Sequence, residues 1–197
     1  MLIGLTGQIG AGKTSAAKVL AGLGAAVIDA DQIGREVVAQ SVALRRKLAG
    51  VFGHGILDAR GCVRRKKLAA LAFIDRKARD KLNSLVHPPL LKELRRQVRQ
   101  TAGFHRVVVI DAALLLDWGM DSEVDFVLVI HAGRGVRLGR LATRGISRAD
   151  GLAREQAQLP FREFQRRADR VVLNNRSLYD LKRKIINFYS QIAPQTD

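Results

Sequence analysis

The chain has 197 residues, 47% hydrophobic and 26% charged, enough for one ordinary soluble domain with a real core. Its single cysteine, Cys62, excludes an internal disulfide and fits a reducing, cytoplasmic setting; the apolar run at 107–116 is broken by Asp111, so no membrane span is expected. A formal charge of +16 attracts polyanions of any kind, but the basic residues are spread along the chain and aromatics are only 5%, so a solvated basic surface is expected rather than a nucleic-acid partner.

The chain opens on an apolar, β-leaning run, Leu2, Ile3, Leu5 and Thr6, so no signal peptide is expected. GQIGAGKT at 7–14 follows and fits G-x-x-x-x-G-K-[ST]. Ala16, Ala17, Leu20 and Leu23 then recur at helical spacing. Strand, glycine loop and helix in this order predict a phosphate cradle. Glycines let successive N–H groups converge on phosphate oxygens, and the helix adds its positive end. In such a cradle Lys13 reaches the β- and γ-phosphates and the Thr14 hydroxyl holds Mg²⁺.

Residues 25–28 read as a second strand running into Asp29-Ala30-Asp31, with a helix through Ile33, Val37 and Val38. Ligands of open parallel sheets sit beyond the carboxyl ends of the strands, which is where these aspartates fall. Asp31 reads equally well as a helix cap or a catalytic carboxylate. Between 41 and 101 strand signals vanish. Helical patterns at 42–52, 66–73 and 76–101 predict a helical insertion, with the last helix restarted or kinked at His87-Pro88-Pro89. Residues 106–110 form an apolar strand ending in Asp111, as a Walker B strand does, and Asp111 is a second Mg²⁺ candidate. A fourth strand is expected at 125–131.

A helix at 133–145 aligns Arg137, Arg140 and Arg144 on one face, where like charges repel unless an anion lies against them. With the polar stretch to Pro160 this predicts a phosphate-closing lid over 133–160, although a solvated basic face explains the same residues. A fifth strand at 170–173 ends at Asn174, and Ser177 caps a last amphipathic helix. Five strands separated by helices predict an α/β protein with a doubly wound parallel sheet.

With these residues in view, the chain resembles the dephospho-CoA kinases from end to end. GQIGAGKT is similar to that family's GGIGSGKS, and AVIDADQIGREVV to its NVIDADxIxRxV. Phe52-Gly53, Gly61, Arg65, Leu68 and Phe73 fall where the family has FG, G, R, L and F, and Leu85-Val86-His87-Pro88 matches its I-x-HP element. VIDAALLLD at 109–117 aligns with VxDxPLLFE, 137–144 with the RLxxR lid pattern, and 158–174 with QxPxxEKxxxADxVIxN. Ala113, Leu116 and Asp117 replace the family's Pro, Phe and Glu.

The resemblance implies a P-loop kinase fold: a five-stranded parallel sheet with helices on both faces in a core of 1–40 and 102–197, a helical acceptor-binding insertion at 41–101, and the short lid. It implies transfer of the ATP γ-phosphoryl group to the ribose 3′-hydroxyl of dephospho-CoA, the last step of coenzyme A biosynthesis. ATP and Mg²⁺ are then required. Gly10, Ala11, Gly12, Lys13, Thr14 and Ser15 hold the nucleotide phosphates, and Asn174 contacts adenine. Thr14 and Asp111 hold the metal, Asp31 takes the proton, and Arg140 and Arg144 close over the phosphates. Asp31, Arg35, Arg65 and His87 face the acceptor. Another P-loop kinase of small molecules or nucleotides, or a nucleic-acid-binding P-loop ATPase, remains an alternative. The oligomeric state is not legible.

Overall fold

A computed structural model describes residues 1–72 and 74–193; Phe73 lies outside the described residues. Strands β1 (Leu2–Thr6), β2 (Ala26–Asp29), β3 (Val108–Asp111), β4 (Phe126–His131) and β5 (Arg170–Leu173) form one all-parallel sheet in the order β2-β3-β1-β4-β5. Central β1 therefore delivers the glycine loop to the middle of the carboxyl edge. There Asp111 lies in register with Leu5 on one side and Asp29 on the other.

Helices α1 (Lys13–Gly22) and α9 (Leu178–Ile192) cover one face of the sheet. Leu20, Leu181, Ile185 and Phe188 pack there on Ile3, Leu5, Leu128 and Ile130. The alternate strand residues Val108, Ile110, Val127 and Val129 are buried too. Burial on both faces explains why these strands read as continuous apolar runs rather than alternating ones. Each fully buried Leu, Ile or Phe contributes about 1.5–3 kcal/mol. Ser177 accepts a hydrogen bond from the Asp180 N–H and so starts α9 as the sequence predicts.

The chain divides into two compact units, Met1–Asp29 with the chain from Val98 onward, and Ala30–Gln97. In the second, α2 (Ala30–Gln40), α3 (Val42–Phe52), α4 (Arg65–Ala72) and most of α5 (Arg76–Ala102) surround Leu44, Leu48, Ala49, Ile56 and Leu68. Val37 and Val38 of α2 pack on this cluster, and Leu90 of α5 lies against Gly34, so α2 belongs here rather than with the sheet. The expected insertion, 41–101, thus begins earlier in the structure. Of the restart or kink expected at His87-Pro88-Pro89, the restart does not occur: α5 runs through both prolines. They remove the bonds to the Ser84 and Leu85 carbonyls. Leu82, Leu85 and Val86 before the prolines, and buried Leu90 and Leu94 beyond them, hold the helix by packing.

In the sheet unit, α6 (Arg134–Ala142), α7 (Arg148–Gln156) and α8 (Phe161–Arg166) follow β4. Helix α6 stops short of the expected residue 145. Gly145 takes φ 74°, and the Ile146 N–H reaches back to the Leu141 carbonyl at 3.1 Å, a close that needs the left-handed residue. Among the described residues no helix is long and apolar enough to cross a membrane.

Candidate active site

Between β1 and α1 the backbone curls through Gly10 (φ 77°) and Gly12 (φ 99°), conformations that L side chains rarely adopt. Gly12 is doubly constrained, because a Cβ there would collide with the Asn174 amide. Within the loop the Ala11 N–H returns to the Gln8 carbonyl (3.1 Å) and the Ser15 N–H to that of Gly12 (3.0 Å). The Ile9 N–H donates to Gln158 Oε1 (2.8 Å). The backbone N–H groups of Gly10, Gly12, Lys13 and Thr14 make no hydrogen bond among the described residues. These four donors, at the positive end of a ten-residue helix, are what an anion requires. Ala11 and Ser15, also assigned to phosphate from sequence, have their N–H groups engaged inside the loop.

Lys13 Nζ is ion-paired with the Asp111 carboxylate, and both side chains are largely buried. The residues predicted to meet phosphate and metal are therefore adjacent. Thr14, in the first turn of α1, is exposed. A carboxylate and a hydroxyl are hard oxygen donors of the kind Mg²⁺ takes from a protein when phosphate and water complete its shell. No group of three or more His, Cys, Asp or Glu side chains is placed to cage a metal among the described residues. This donor set fits an ion shared with a polyphosphate rather than one held by protein alone.

The three arginines of the expected lid face have three different environments. Arg137 is 4% exposed. It donates from Nε to the Ala132 carbonyl (2.9 Å), from Nη2 to Glu155 Oε1 (2.7 Å), and from Nη1 to the Ile9 carbonyl (3.4 Å). Its charge is met by Glu155, so the repulsion expected of this face does not arise there. Burial alone raises the Glu155 pKa, but hydrogen bonds from Arg137 and Arg134 outweigh it and hold the carboxyl below its usual range. Arg140 is half-buried and donates to the Ala11 carbonyl (3.3 Å), the Asn174 carbonyl (2.9 Å) and Asn174 Oδ1 (3.3 Å). Asn174 is 4% exposed, and its Nδ2 donates to the same Ala11 carbonyl at 2.8 Å. Arg144, beyond α6, is exposed.

A cavity of about 530 Å³ opens beside the loop, lined by Gln8, His131, Arg137, Glu155, Gln158 and Phe161 among others. Gln8 Nε2 donates to the Leu159 carbonyl (3.4 Å). His131 stacks on Phe161 with ring centroids 3.6 Å apart. Burial first, then the Arg137 charge, lowers its pKa, so the ring stays neutral at neutral pH. Sequence alone missed Gln158, Glu155 and the burial of Arg137. Their traces in sequence are the polar run 154–158 and, for Gln158, its place at the head of the 158–174 motif, neither of which says what these side chains bind.

The other predicted residues belong to the helical unit. Asp31 is exposed in the first turn of α2, and Arg35 is exposed one turn on, at the i,i+4 spacing that shares a face. Arg65 is exposed at the start of α4. His87 is partly buried in α5, and burial lowers its pKa.

A family model described as dephospho-CoA kinase matches residues 1–180. The chain is 37% identical over 196 residues to the dephospho-CoA kinase of Geobacter sulfurreducens, covering 98% of this chain and 99% of that one. It is 36% identical to that of Corynebacterium diphtheriae over 198 residues, covering 100% and 99%. A crystal structure from Thermus thermophilus superposes with a TM-score of 0.82 at 30% identity, covering 98% of each chain. The dephospho-CoA kinase of Campylobacter jejuni, 21% identical, superposes at 0.75 over 98% and 96%, a likeness of fold.

Proposed function

The chain belongs to the dephospho-CoA kinase family, and from that premise we propose how its residues divide the phosphorylation of dephospho-CoA by ATP, a step of coenzyme A biosynthesis. The acceptor atom is the ribose 3′-hydroxyl oxygen. It forms a bond to the γ-phosphorus as the β–γ bridging P–O bond breaks, and ADP leaves. The hydroxyl proton passes to Asp31.

Phosphoryl transfer leaves little covalent work to the protein, so its residues align the reactants and stabilise charge. The N–H groups of Gly10, Gly12, Lys13 and Thr14 hold the donor phosphates. The Lys13 ammonium turns from Asp111 to the β- and γ-oxygens when they arrive. Thr14 and Asp111 hold Mg²⁺, which neutralises charge on those phosphates. Arg144 supplies a further cation. Arg35 and Arg65 meet the acceptor, whose diphosphate favours cations, and His87, held in its neutral form by burial, meets it as a hydrogen-bonding ring. Asp31 is supported as the proton acceptor by its place two residues beyond Asp29, the strand residue in register with Asp111. The protein works in the cytoplasm, as the lone, exposed, unpaired Cys62 fits.

The observation that carries this reading is the set of four unengaged N–H groups at the head of α1 beside the Lys13–Asp111 pair. An ADP-release assay with dephospho-CoA, adenosine, AMP and DNA tests it. Only dephospho-CoA should raise turnover above the acceptor-free rate. Equal turnover with AMP would point to a nucleotide kinase, and stimulation by DNA to a nucleic-acid-dependent ATPase.

A further inference from the structure

Two peptide units of the glycine loop have their carbonyls held by side chains from distant parts of the chain. The Ile9 carbonyl receives Arg137 Nη1, and the Ala11 carbonyl receives both Asn174 Nδ2 and Arg140 Nη1. A trans peptide is planar, so its N–H points opposite to its C=O; all described peptide bonds here are trans. The partner N–H of the Ile9 carbonyl is that of Gly10, and the partner N–H of the Ala11 carbonyl is that of Gly12. These are two of the four unengaged donors. The Ala11 N–H between them, whose peptide carbonyl belongs to Gly10, is turned instead to Gln8.

We propose that Asn174, seconded by Arg140, is a positioning residue for the donor phosphates: it holds the Ala11 carbonyl outward and thereby aims the Gly12 N–H into the cradle. This rests on reading the loop as a phosphate cradle. It gives Asn174 a different role from the adenine contact that the resemblance implies. Its side chain is buried, its Nδ2 donates to backbone, and its Oδ1 accepts from Arg140. The same amide occupies the space a Gly12 side chain would take, so glycine and asparagine are fitted to each other. Arg140 bridges the two segments by binding the Ala11 carbonyl and the Asn174 carbonyl at once. A loop pre-set in this way binds phosphate without first ordering its backbone, which is where preorganisation gains affinity.

A base reader and a loop positioner predict different losses. Asn174→Asp keeps the size of the side chain and replaces the Nδ2 donor with an oxygen facing the Ala11 carbonyl. Affinities for inorganic tripolyphosphate, ATP and GTP are measured by calorimetry on folded protein, with Arg140→Gln as a second variant should Asn174→Asp melt early. The expected result is a loss of about tenfold for all three ligands, the size of one hydrogen bond of about 1.4 kcal/mol, with the ATP-to-GTP preference unchanged. Unchanged tripolyphosphate binding with weakened ATP overturns the proposal and makes Asn174 an adenine contact. Lys13→Ala separates the two levels. If it too binds tripolyphosphate like wild type, the cradle reading itself fails. If it loses tripolyphosphate while Asn174→Asp and Arg140→Gln do not, only the positioning role fails.

Discussion

The two compact units handle charge in opposite ways. Residues 30–97 carry sixteen Lys and Arg against six Asp and Glu, a net +10, whereas the other 129 residues carry eighteen against twelve, a net +6. In the helical unit Arg35, Arg46, Arg60, Arg64, Arg65, Lys66 and Lys67 are all exposed. In the sheet unit the cations near the glycine loop are buried or half-buried and matched one by one: Lys13 with Asp111, Arg137 with Glu155, and Arg140 with backbone carbonyls and Asn174. The basic excess is therefore not where the geometry is tightest. A solvated cation is screened and contributes little, while a buried, hydrogen-bonded one fixes the atoms around it. The basic excess lies mostly on the surface, whereas the cations around the glycine loop are held by buried or half-buried partners.

Substitutions in each unit sharpen this contrast. The largest effect is expected at Asp31, which lies inside the first turn of α2, one residue past its start, and so is not the helix cap the sequence offered; a first-turn charge and a proton acceptor predict different damage. Asp31→Asn is nearly isosteric and removes only the charge, so loss of a favourable charge in the first helical turn would by itself leave turnover nearly intact. Loss of a positioned base lowers turnover about 10²–10⁴-fold. The expected outcome is that fall, with an unchanged melting temperature and retained ATP binding. Retention of more than about a tenth of wild-type turnover would leave Asp31 only as a favourable charge in the first turn of α2.

Next comes Lys13→Ala, with a loss of about 10²–10³-fold in turnover, the scale of removing one preorganised charge stabiliser, in a protein that stays folded. It also removes the ion pair between Lys13 and the largely buried Asp111, so melting curves must accompany the kinetics. Arg144→Gln is expected to fall between this and a surface control, Arg46→Gln, which should leave turnover within experimental error. If Arg144→Gln matches the control, Arg144 is solvated surface.

A smaller effect, on stability rather than turnover, is expected at Glu155. Its carboxyl is held below the ordinary value of 4.5, so the folded state binds fewer protons there than the unfolded one. The stabilisation is present above that value and is lost as pH falls through the lowered folded value. Glu155→Gln should cost about 2 kcal/mol at neutral pH, the scale of a hydrogen bond to a charged group. Its melting temperature should then drop less than wild type does between pH 5 and the acid limit, as differential scanning fluorimetry would record. Parallel curves for the two proteins would mean that Glu155 does not anchor Arg137.

The same contrast explains what was legible beforehand. Local signals were read well. The helix at Val42–Phe52, the strand at Arg170–Leu173 and the Ser177 cap all stand where spacing and capping chemistry put them. The glycine loop was legible because its backbone demands residue types at fixed spacing. What failed was non-local. Arg137, Arg140 and Arg144 share one spacing pattern, so nothing near them in sequence separates the buried one from the exposed one. The separation depends on Glu155, 18 residues away, and on Ile9, 128 residues away. The Gln158 clamp on Ile9 spans 149 residues. The prolines of α5 left a restart and a kink equally open for a related reason: their local cost is real, and the packing that carries one helix through them comes from α2 and α3.

A division of labour between the units, donor phosphates on the sheet unit and acceptor on the helical one, is open to direct measurement. Equilibrium binding of tripolyphosphate and of dephospho-CoA, measured separately on wild type, Lys13→Ala and Arg65→Ala, tests it most directly. Lys13→Ala should lose tripolyphosphate by at least about tenfold and keep dephospho-CoA, and Arg65→Ala should do the reverse. Loss of dephospho-CoA with tripolyphosphate retained in folded Lys13→Ala, or equal loss of both ligands in each variant, would contradict it.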